Sequence, residues 1–259
     1  MGKIITISNQ KGGVGKTTTA VNLSASLAVS ERRVLLLDLD PQGNATSGTG
    51  AEPKESTSYE LLLGQSPAAA CIQNTVVPYM DIVTADRRLA GAEVELVNEM
   101  NRERFLRNAL GGITDRYDYI FVDTPPSLSL LTLNALTAAD SVLIPIQCEY
   151  YALEGLSQLL GTIQLVQRRL NPDLQIEGVL LTMYDKRLRL SNQVADEAIE
   201  FFGTVVYENR IPRNVRLSEA PSFGQPILLY DVDCLGAQAY LMLAKEILGN
   251  HRDVMVEGG

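Results

Sequence analysis

The sequence is poor in the residues on which most metal centres and nucleophilic active sites depend. Its 259 residues contain no tryptophan and a single histidine, His251, which lies in a polar C-terminal segment. A mechanism built on a histidine base or a histidine-ligated metal therefore has almost nothing to use. The cysteines Cys71, Cys148 and Cys234 are isolated and show no C-x-x-C spacing. We therefore predict reduced thiols, with neither a disulfide framework nor a zinc site.

Long hydrophobic runs are also absent. No segment approaches the roughly 20 uninterrupted apolar residues needed to span a bilayer. Met1 leads almost directly into the apolar run 4–7 without a basic region or a long apolar stretch, so we expect no signal peptide. The composition, 46% hydrophobic and 20% charged, is typical of a soluble globular protein. The net charge of -9 argues against a general attraction to nucleic acid, although a local basic patch can override it.

Apolar runs of strand length alternate with longer segments of helical periodicity. The predicted strands are 4–7, 34–37, 119–122, 142–146 and 178–181. The predicted helices are 17–29, 102–110, 153–170, 192–202 and 235–248. This alternation predicts an α/β fold, a single domain with a mostly parallel, twisted sheet and helices on both of its faces. We expect the domain to cover residues 1–249, followed by a frayed polar tail over 250–259.

A glycine-rich segment follows the first predicted strand, with the sequence Asn9-Gln10-Lys11-Gly12-Gly13-Val14-Gly15-Lys16-Thr17-Thr18. Its glycines allow backbone N–H groups to converge on phosphate oxygens, and Lys16 can reach β and γ phosphates. Thr17, at the start of a predicted helix, is placed to bind Mg²⁺ through its hydroxyl. The general pattern G-x-x-x-x-G-K-[ST] requires glycine where Gln10 stands. The chain instead has K-G-G-x-G-K-[ST], with a second lysine at Lys11.

Acidic residues end two further predicted strands. The strand 34–37 runs into Asp38-Leu39-Asp40, and the strand 119–122 runs into Asp123-Thr124-Pro125-Pro126. Ligands of open α/β sheets bind at the carboxyl ends of the strands, where a carboxylate can orient water or hold Mg²⁺. An alternative for Asp38 is that it only terminates its strand. The stiff Pro-Pro turn could sense a γ-phosphate.

The irregular segment 51–80 contains three prolines and a short helical piece around 59–63. We expect it to cover the sheet near the nucleotide.

Four motifs together carry a family resemblance. They are K-G-G-V-G-K-T-T from Lys11, D-L-D-P-Q-G-N from Asp38, F-V-D-T-P-P-S from Phe121, and I-P-R-N-V-R-L-S-E-A-P-S from Ile211. This combination resembles the ParA/MinD ATPases with their deviant P-loop, and most closely the chromosomal ParA branch called Soj. The similarity covers residues 3 to about 248. It implies a P-loop NTPase fold, ATP and Mg²⁺ as cofactors, and a homodimer in the ATP-bound state.

The resemblance also implies residue roles. Lys11 resembles the lysine that reaches across an ATP-sandwich dimer to the partner's phosphates, Lys16 the lysine that acts within its own subunit, and Asp40 the acid that positions the attacking water. Thr17 resembles the magnesium ligand, with Asp38 and Asp123 close to the metal. The implied nucleotide contacts are Lys11, Gly12, Gly13, Val14, Gly15, Lys16, Thr17, Thr18, Pro212 and Asn214, the last two in the loop that contacts adenine.

In ParA proteins the ATP dimer binds double-stranded DNA without sequence preference. The candidate DNA-binding residues here are Lys186, Arg187, Arg189, Arg213 and Arg216. Residues 182–220 contain six basic and six acidic residues, so the region is basic only relative to the whole chain, and a solvated charged surface stays an alternative. The resemblance further implies a ParB-like partner that stimulates hydrolysis, a role in chromosome or plasmid partitioning, and a cytoplasmic, nucleoid-associated location without a membrane partner.

Three other functions share the same loop. A MinD-like membrane-associated positioning ATPase would need a basic amphipathic C-terminal helix, whereas the residues after Leu248 include one arginine, two acids and little apolar length. A metal-cluster carrier or nitrogenase reductase-like protein would need cysteines at the dimer axis. A biosynthetic ligase would need a substrate domain, and none is apparent in the sequence.

Overall fold

The structure, a computed structural model, describes residues 2–149 and 156–256, with only the backbone described from residue 250 onward. Within these ranges the strands are β1 (Lys3–Ile7), β2 (Val34–Asp38), β3 (Ile72–Asn74), β4 (Met80–Val83), β5 (Tyr119–Asp123), β6 (Ser141–Gln147) and β7 (Gln175–Thr182). The α-helices are α1 (Lys16–Ala28), α2 (Asn44–Gly48), α3 (Ser58–Leu62), α4 (Ala68–Cys71), α5 (Leu89–Glu95), α6 (Phe105–Leu110), α7 (Leu130–Ala138), α8 (Leu156–Arg169), α9 (Arg189–Phe202), α10 (Val215–Glu219), α11 (Ile227–Tyr230) and α12 (Leu235–Val256). Short 3-10 helices cover Leu96–Asn98, Arg102–Arg104, Thr114–Arg116, Gly203–Val205 and Ala220–Phe223.

The described strands form one sheet in the order β3-β4-β2-β5-β1-β6-β7, parallel except for the antiparallel pair β3 and β4. Alternate residues of β2 and β5 pack into two different cores. Leu35 and Leu37 belong to one core, and Val34 and Leu36 belong to the other, which also contains residues of α1 and α12. Both faces of the sheet are therefore covered, which explains why its central strands are continuous apolar runs.

The predicted fold class is confirmed, and each of the five predicted strands corresponds to an observed one with bounds shifted by at most a few residues. The helix predicted over 102–110 starts with a 3-10 turn, and the helix predicted from 192 begins at Arg189. The first residues of the helix predicted over 153–170 lie outside the described residues.

Two expectations about the chain's less regular parts were wrong. The segment 51–80 does contain the expected short helix, α3, but it also supplies α4, β3 and the first residue of β4, and so extends the sheet beyond β2. The last helix does not end near 248 but continues to Val256, through most of the segment expected to be frayed. Residues 257–259 lie outside the described residues, and the boundary at 249 stays a prediction.

The strand order places the carboxyl ends of β2, β5, β1, β6 and β7 next to one another. Asp38 of β2 and Asp123 of β5 are register partners, and Asp123 is also the register partner of Ile7 at the end of β1. The predicted site residues at these strand ends therefore meet at one edge of the sheet. In the part of the chain that the structure describes, no helix is both long and apolar enough to cross a membrane.

Candidate functional site

The loop between β1 and α1 is shaped by its glycines and tied to β7. Gly13 and Gly15 have φ values of +74° and +89°, in the left-handed region that glycine adopts without strain. The Thr182 hydroxyl, at the end of β7, donates to the Val14 carbonyl at 2.8 Å. Because α1 begins at Lys16, the unpaired N–H groups of its first turn face the loop, an arrangement that favours phosphate.

The two lysines of the loop lie in different surroundings. Lys16 is buried, and its Nζ donates to the Lys11 carbonyl at 3.1 Å. Burial lowers the pKa of Lys16, while the carboxylates of Asp123 and Asp40 act in the opposite direction. The Lys11 side chain is 37% exposed, and its Nζ lies 3.6 Å from Glu149 Oε2. Lys16 therefore points into the protein, and Lys11 lies at the rim.

Asp38 is fully buried, and both of its carboxylate oxygens accept hydrogen bonds. Oδ2 accepts from the Thr46 amide at 2.8 Å and the Thr46 hydroxyl at 2.7 Å, and Oδ1 accepts from the Asp40 amide at 3.1 Å. Burial raises the pKa of Asp38, and the bonds from Thr46 oppose that rise. Asp38 thus fixes the segment that carries Asp40 and the start of α2.

Asp123 is also fully buried, but neither of its oxygens has a hydrogen-bond partner. Burial raises its pKa well above the ordinary range, Asp38 adds to the rise, and the nearby Thr17 hydroxyl opposes it. A buried, unpartnered carboxylate beside Thr17 and Lys16 fits a divalent cation, since a cation favours the charged carboxylate. Among the described residues no group of three or more His, Cys, Asp or Glu side chains is placed to hold a metal. The Asp123 carboxylate and the Thr17 hydroxyl are oxygen donors of the kind that Mg²⁺ takes, with phosphate and water completing its shell.

A cavity of about 250 Å³, the phosphate cavity, opens above the loop. Its lining comprises Gly12, Gly13, Gly15, Lys16, Thr17, Thr18, Asp40, Asn44, Pro126 and Met183. Asp40 is 6% exposed, and its Oδ1 accepts from the Gln42 amide at 2.9 Å, which fixes the carboxylate at the cavity wall. Lys11 is not among the described residues that line this cavity.

A second cavity of about 370 Å³, the base cavity, shares Gly15, Thr18 and Met183 with the phosphate cavity. Pro212 and Asn214, which the family resemblance assigns to a loop that contacts adenine, line it, and their contact with a base stays a prediction. The Asn214 Oδ1 accepts from the Arg216 amide at 2.8 Å and so caps α10. Because the two cavities share lining residues, they form one groove with the glycine-rich loop at one end and Pro212 and Asn214 at the other.

The five candidate DNA-binding residues differ in their partners. Arg187 pairs with Asp185 at 2.7 Å, Arg213 with Glu149 at 3.8 Å, and Arg216 with Glu219 at 2.9 Å and Asp231 at 3.2 Å. Lys186 and Arg189 are exposed and form no ion pair with another described residue.

The two segments that carry these residues lie side by side. Tyr184 and Pro212 form a parallel bridge, and the Tyr184 amide donates to the Ile211 carbonyl at 3.0 Å. The segments 184–189 and 211–216, here called the basic segments, are therefore linked to each other and to the wall of the base cavity.

The cysteines lie apart from one another in the fold. Cys71 and Cys148 are buried, Cys234 is half-buried, and all three are free thiols. Burial raises the pKa of Cys148 to about 11, so its thiol is protonated at neutral pH. This arrangement does not favour the metal-cluster alternative.

Several residues around the site were not predicted from the sequence. Asn9, Thr46, Glu149 and Thr182 each contact a predicted site residue or the loop itself. Asn9 could have been noticed as a polar residue at the end of an apolar strand. The contacts of Glu149 and Thr182 join residues more than 130 positions apart, and no local pattern marks them.

Comparison with known proteins places this site in a family. A sequence profile described as "AAA domain" matches residues 2–176. The chain is 59% identical over 252 residues to the sporulation initiation inhibitor protein Soj of Bacillus subtilis, covering 96% of this chain and 100% of that protein. It is 58% identical over 250 residues to the chromosome partitioning protein ParA of Myxococcus xanthus, covering 96% and 88%. A solved structure described as cobyrinic acid a,c-diamide synthase of Mycobacterium smegmatis, with bound ADP and magnesium, matches with a TM-score of 0.85 at 37% identity, covering 97% and 96%. The chain belongs to the ParA/Soj family of P-loop ATPases.

Proposed function

We propose that this ATPase is a molecular switch in chromosome or plasmid partitioning. In the proposed cycle, ATP closes a homodimer that binds double-stranded DNA without sequence preference, and a ParB-like partner stimulates hydrolysis, which separates the subunits. The names of the relatives support the biological setting. The observation that carries the dimeric mechanism is the position of Lys11, at the rim of the site and outside the lining of its own phosphate cavity.

The chain is an ATPase with ATP and Mg²⁺ as its nucleotide and metal. We infer that Lys16, Thr17 and the loop amides hold the phosphates, and that Asp123 and Thr17 hold the metal with Asp38 bracing the neighbouring segment. Bound Mg²⁺ neutralises charge on the β and γ phosphates. Asp40, whose Oδ1 is fixed by the Gln42 amide, positions the attacking water. Phosphoryl transfer needs little covalent chemistry from the protein, so a site with no histidine suffices.

In the proposed dimer, Lys11 supplies a cationic side chain that the partner's own site lacks. Its ammonium group lies 3.6 Å from Glu149, and both side chains are more than one-third exposed. In the proposed dimer this ammonium leaves Glu149 and contacts the phosphates bound by the partner. A cationic side chain supplied by a partner is worth roughly 10³ to 10⁵ in rate in other NTPases. A monomer would therefore bind ATP but hydrolyse it slowly.

DNA binding is proposed to depend on the same dimer. The Tyr184–Pro212 bridge connects the base cavity to the two basic segments, so a nucleotide in that cavity contacts the element that presents them. A dimer doubles the number of phosphates that can be neutralised, and affinity depends on salt with a log-log slope of about -0.9 per phosphate. We expect DNA affinity to be higher with a non-hydrolysable ATP analogue than with ADP. Equal affinities would contradict the switch.

The partitioning role is favoured over the alternatives by the comparisons. The partition relatives are 58% and 59% identical to this chain, whereas the structure described as a synthase is 37% identical. The described residues form one sheet with its covering helices and include no separate substrate domain. The residues after Leu248 do not favour a MinD-like membrane function, which liposome co-sedimentation with ATP would test.

Size-exclusion chromatography on Asp40→Ala, with and without Lys11→Ala, tests the proposed mechanism. With ATP, Asp40→Ala is expected to elute as a dimer, because the nucleotide that closes the dimer is not hydrolysed. Addition of Lys11→Ala is expected to leave a monomer that still binds ATP. A monomeric Asp40→Ala protein with bound ATP would overturn the assignment of both residues.

A further inference from the structure

The side chain of Asn9 connects the phosphate-binding loop to β6 at the point where the loop leaves the sheet. The ladder between β1 and β6 ends with the Ser8 amide donating to the Leu143 carbonyl at 3.1 Å. If β1 continued, the Gln10 amide would meet the next acceptor, the Pro145 carbonyl. Asn9 Nδ2 donates to that carbonyl instead, at 2.7 Å. The side chain thus satisfies a strand acceptor and releases the backbone to form the loop.

The other end of the same amide fixes the Lys11 peptide. Asn9 Oδ1 accepts from the Lys11 amide at 3.0 Å, and Asn9 is 5% exposed. The Lys11 carbonyl in turn accepts from Lys16 Nζ at 3.1 Å. The Lys11 backbone is therefore held on both sides, and only its side chain is free to turn from Glu149 towards a second subunit.

Asn9 acts on Lys11 more directly than on the nucleotide of its own subunit. Lys16 is the first residue of α1, and the loop crest is tied to β7 by Thr182, so the backbone of each is held by contacts other than those of Asn9. The reach of a flexible ammonium is set by where its Cα is anchored, and a misplacement of about 1 Å can cost roughly 100-fold in rate.

We propose that Asn9 is a positioning residue that anchors Lys11 on β6 so that its ammonium reaches the nucleotide of the partner subunit. The proposal rests on the trans role of Lys11 proposed above. It assigns to Asn9 an effect on the partner's site and not on its own.

The variant Asn9→Ala tests whether Asn9 affects hydrolysis without affecting nucleotide binding by the monomer. The variant is expected to bind a non-hydrolysable ATP analogue as a monomer within about twofold of wild type, while its ATPase rate falls roughly 10- to 100-fold. A matched control is Asn171→Ala. Asn171 is also buried, and its Nδ2 donates to the Leu136 and Ala139 carbonyls at 3.1 and 2.7 Å, far from the loop in the fold. The control is expected to lower the melting temperature without a selective loss of ATPase rate. Loss of monomer nucleotide binding in Asn9→Ala would contradict the proposal.

Mixed dimers separate an effect on the partner from an effect in the same subunit. Asn9→Ala and Asp40→Ala monomers are combined before ATP is added. In a mixed dimer, the Asn9→Ala subunit keeps its own Asp40 and receives a correctly anchored Lys11 from its partner. The mixture is expected to start at roughly a quarter of the wild-type rate of phosphate release and then to stall, since half of randomly paired dimers are mixed, each has one complete site, and unhydrolysed ATP at the Asp40→Ala site keeps the dimer closed. No recovery would mean that Asn9 acts within its own subunit.

A parallel mixture of Lys11→Ala with Asp40→Ala distinguishes the two proposals. Recovery there, with none in the Asn9→Ala mixture, would overturn the role of Asn9 alone. Failure of both mixtures, in samples that elute as dimers on size-exclusion chromatography with ATP, would overturn the trans role of Lys11 itself. Recovery in both would support each.

Discussion

At the scale of single residues, two aspartates that face each other across neighbouring strands have different surroundings. Asp38 and Asp123 are both fully buried register partners. The oxygens of Asp38 accept three hydrogen bonds, whereas those of Asp123 accept none. The chain itself therefore satisfies Asp38, whereas burial raises the pKa of Asp123 and leaves its carboxyl group without a hydrogen-bond partner.

This contrast predicts opposite effects of the same substitution. In Mg²⁺-free buffer, Asp123→Asn is expected to raise the free energy of unfolding by about 1 kcal/mol, because it removes a buried carboxylate without a partner. Asp38→Asn is expected to lower it by about 1–3 kcal/mol, because its N–H₂ group replaces one of the two acceptor oxygens and faces the donor of Asp40 or those of Thr46. Urea denaturation measures both.

The ATPase activity of Asp123→Asn gives a second test of its role. Asp123→Asn is expected to lower the Mg²⁺-dependent ATPase rate roughly 10- to 100-fold despite its higher stability. A destabilised Asp123→Asn protein, or one with the wild-type response to Mg²⁺, would show that Asp123 is not placed for the metal.

At the scale of elements, the basic residues before α9 and α10 differ in how free they are to meet DNA. Lys186 and Arg189 form no ion pair with a described residue, whereas Arg187 is held by Asp185. Hydrogen bonds from Arg187 lower the pKa of Asp185 to about 2, so the ion pair between them persists at neutral pH. A guanidinium that must leave its carboxylate gains less from a phosphate.

The double variant Lys186→Ala/Arg189→Ala is therefore expected to weaken DNA binding more than Arg187→Ala. Each lost phosphate contact is expected to reduce the magnitude of the log-log salt slope by about 0.9. Fluorescence anisotropy of a duplex at several salt concentrations, with a non-hydrolysable ATP analogue, measures affinity and slope together. A larger effect from Arg187→Ala would show that the ion pair with Asp185 opens on DNA.

At the scale of the whole molecule, two distant segments cross in close backbone contact beside the nucleotide groove. Gly50 follows α2 and the Asp40 segment, and Gly224 follows α10. A Cβ on Gly224 would lie 2.9 Å from Gly50 Cα, and one on Gly50 would lie 2.6 Å from the Gly224 carbonyl oxygen. The crossing therefore brings the segment that follows Asp40 and α2 into contact with the segment that follows α10, the helix that contains Arg216.

Gly224→Ala is expected to lower the free energy of unfolding by about 2–4 kcal/mol, because it combines a clash with a φ of +62°. Gly64→Ala is the matched control, since Gly64 has a φ of +67° and a Cβ added there would meet no atom within 4 Å. It is expected to cost only about 1 kcal/mol, the left-handed penalty alone. Equal losses in chemical denaturation would show that the crossing adds nothing to stability.

The sequence by itself determined the central strands and the chemistry of the loop. Strands such as β2 are buried on both faces, so they appear as continuous apolar runs that local inspection finds. The edge strand β3 and its neighbour β4 were missed because they are short and of mixed polarity. Gly12, Gly15, Lys16 and Thr17 lie close together in the chain, and their spacing alone predicts phosphate binding.

Only the tertiary structure decided which surroundings the two lysines of the loop have and which aspartate is satisfied. The anchoring of Lys11 depends on Asn9 and Pro145, which are 136 positions apart, and on Glu149 beyond β6. The difference between Asp38 and Asp123 depends on Thr46 approaching one carboxylate and not the other. Such contacts follow from strand order and loop placement, which the whole set of packed elements determines together, and no local periodicity or spacing contains them.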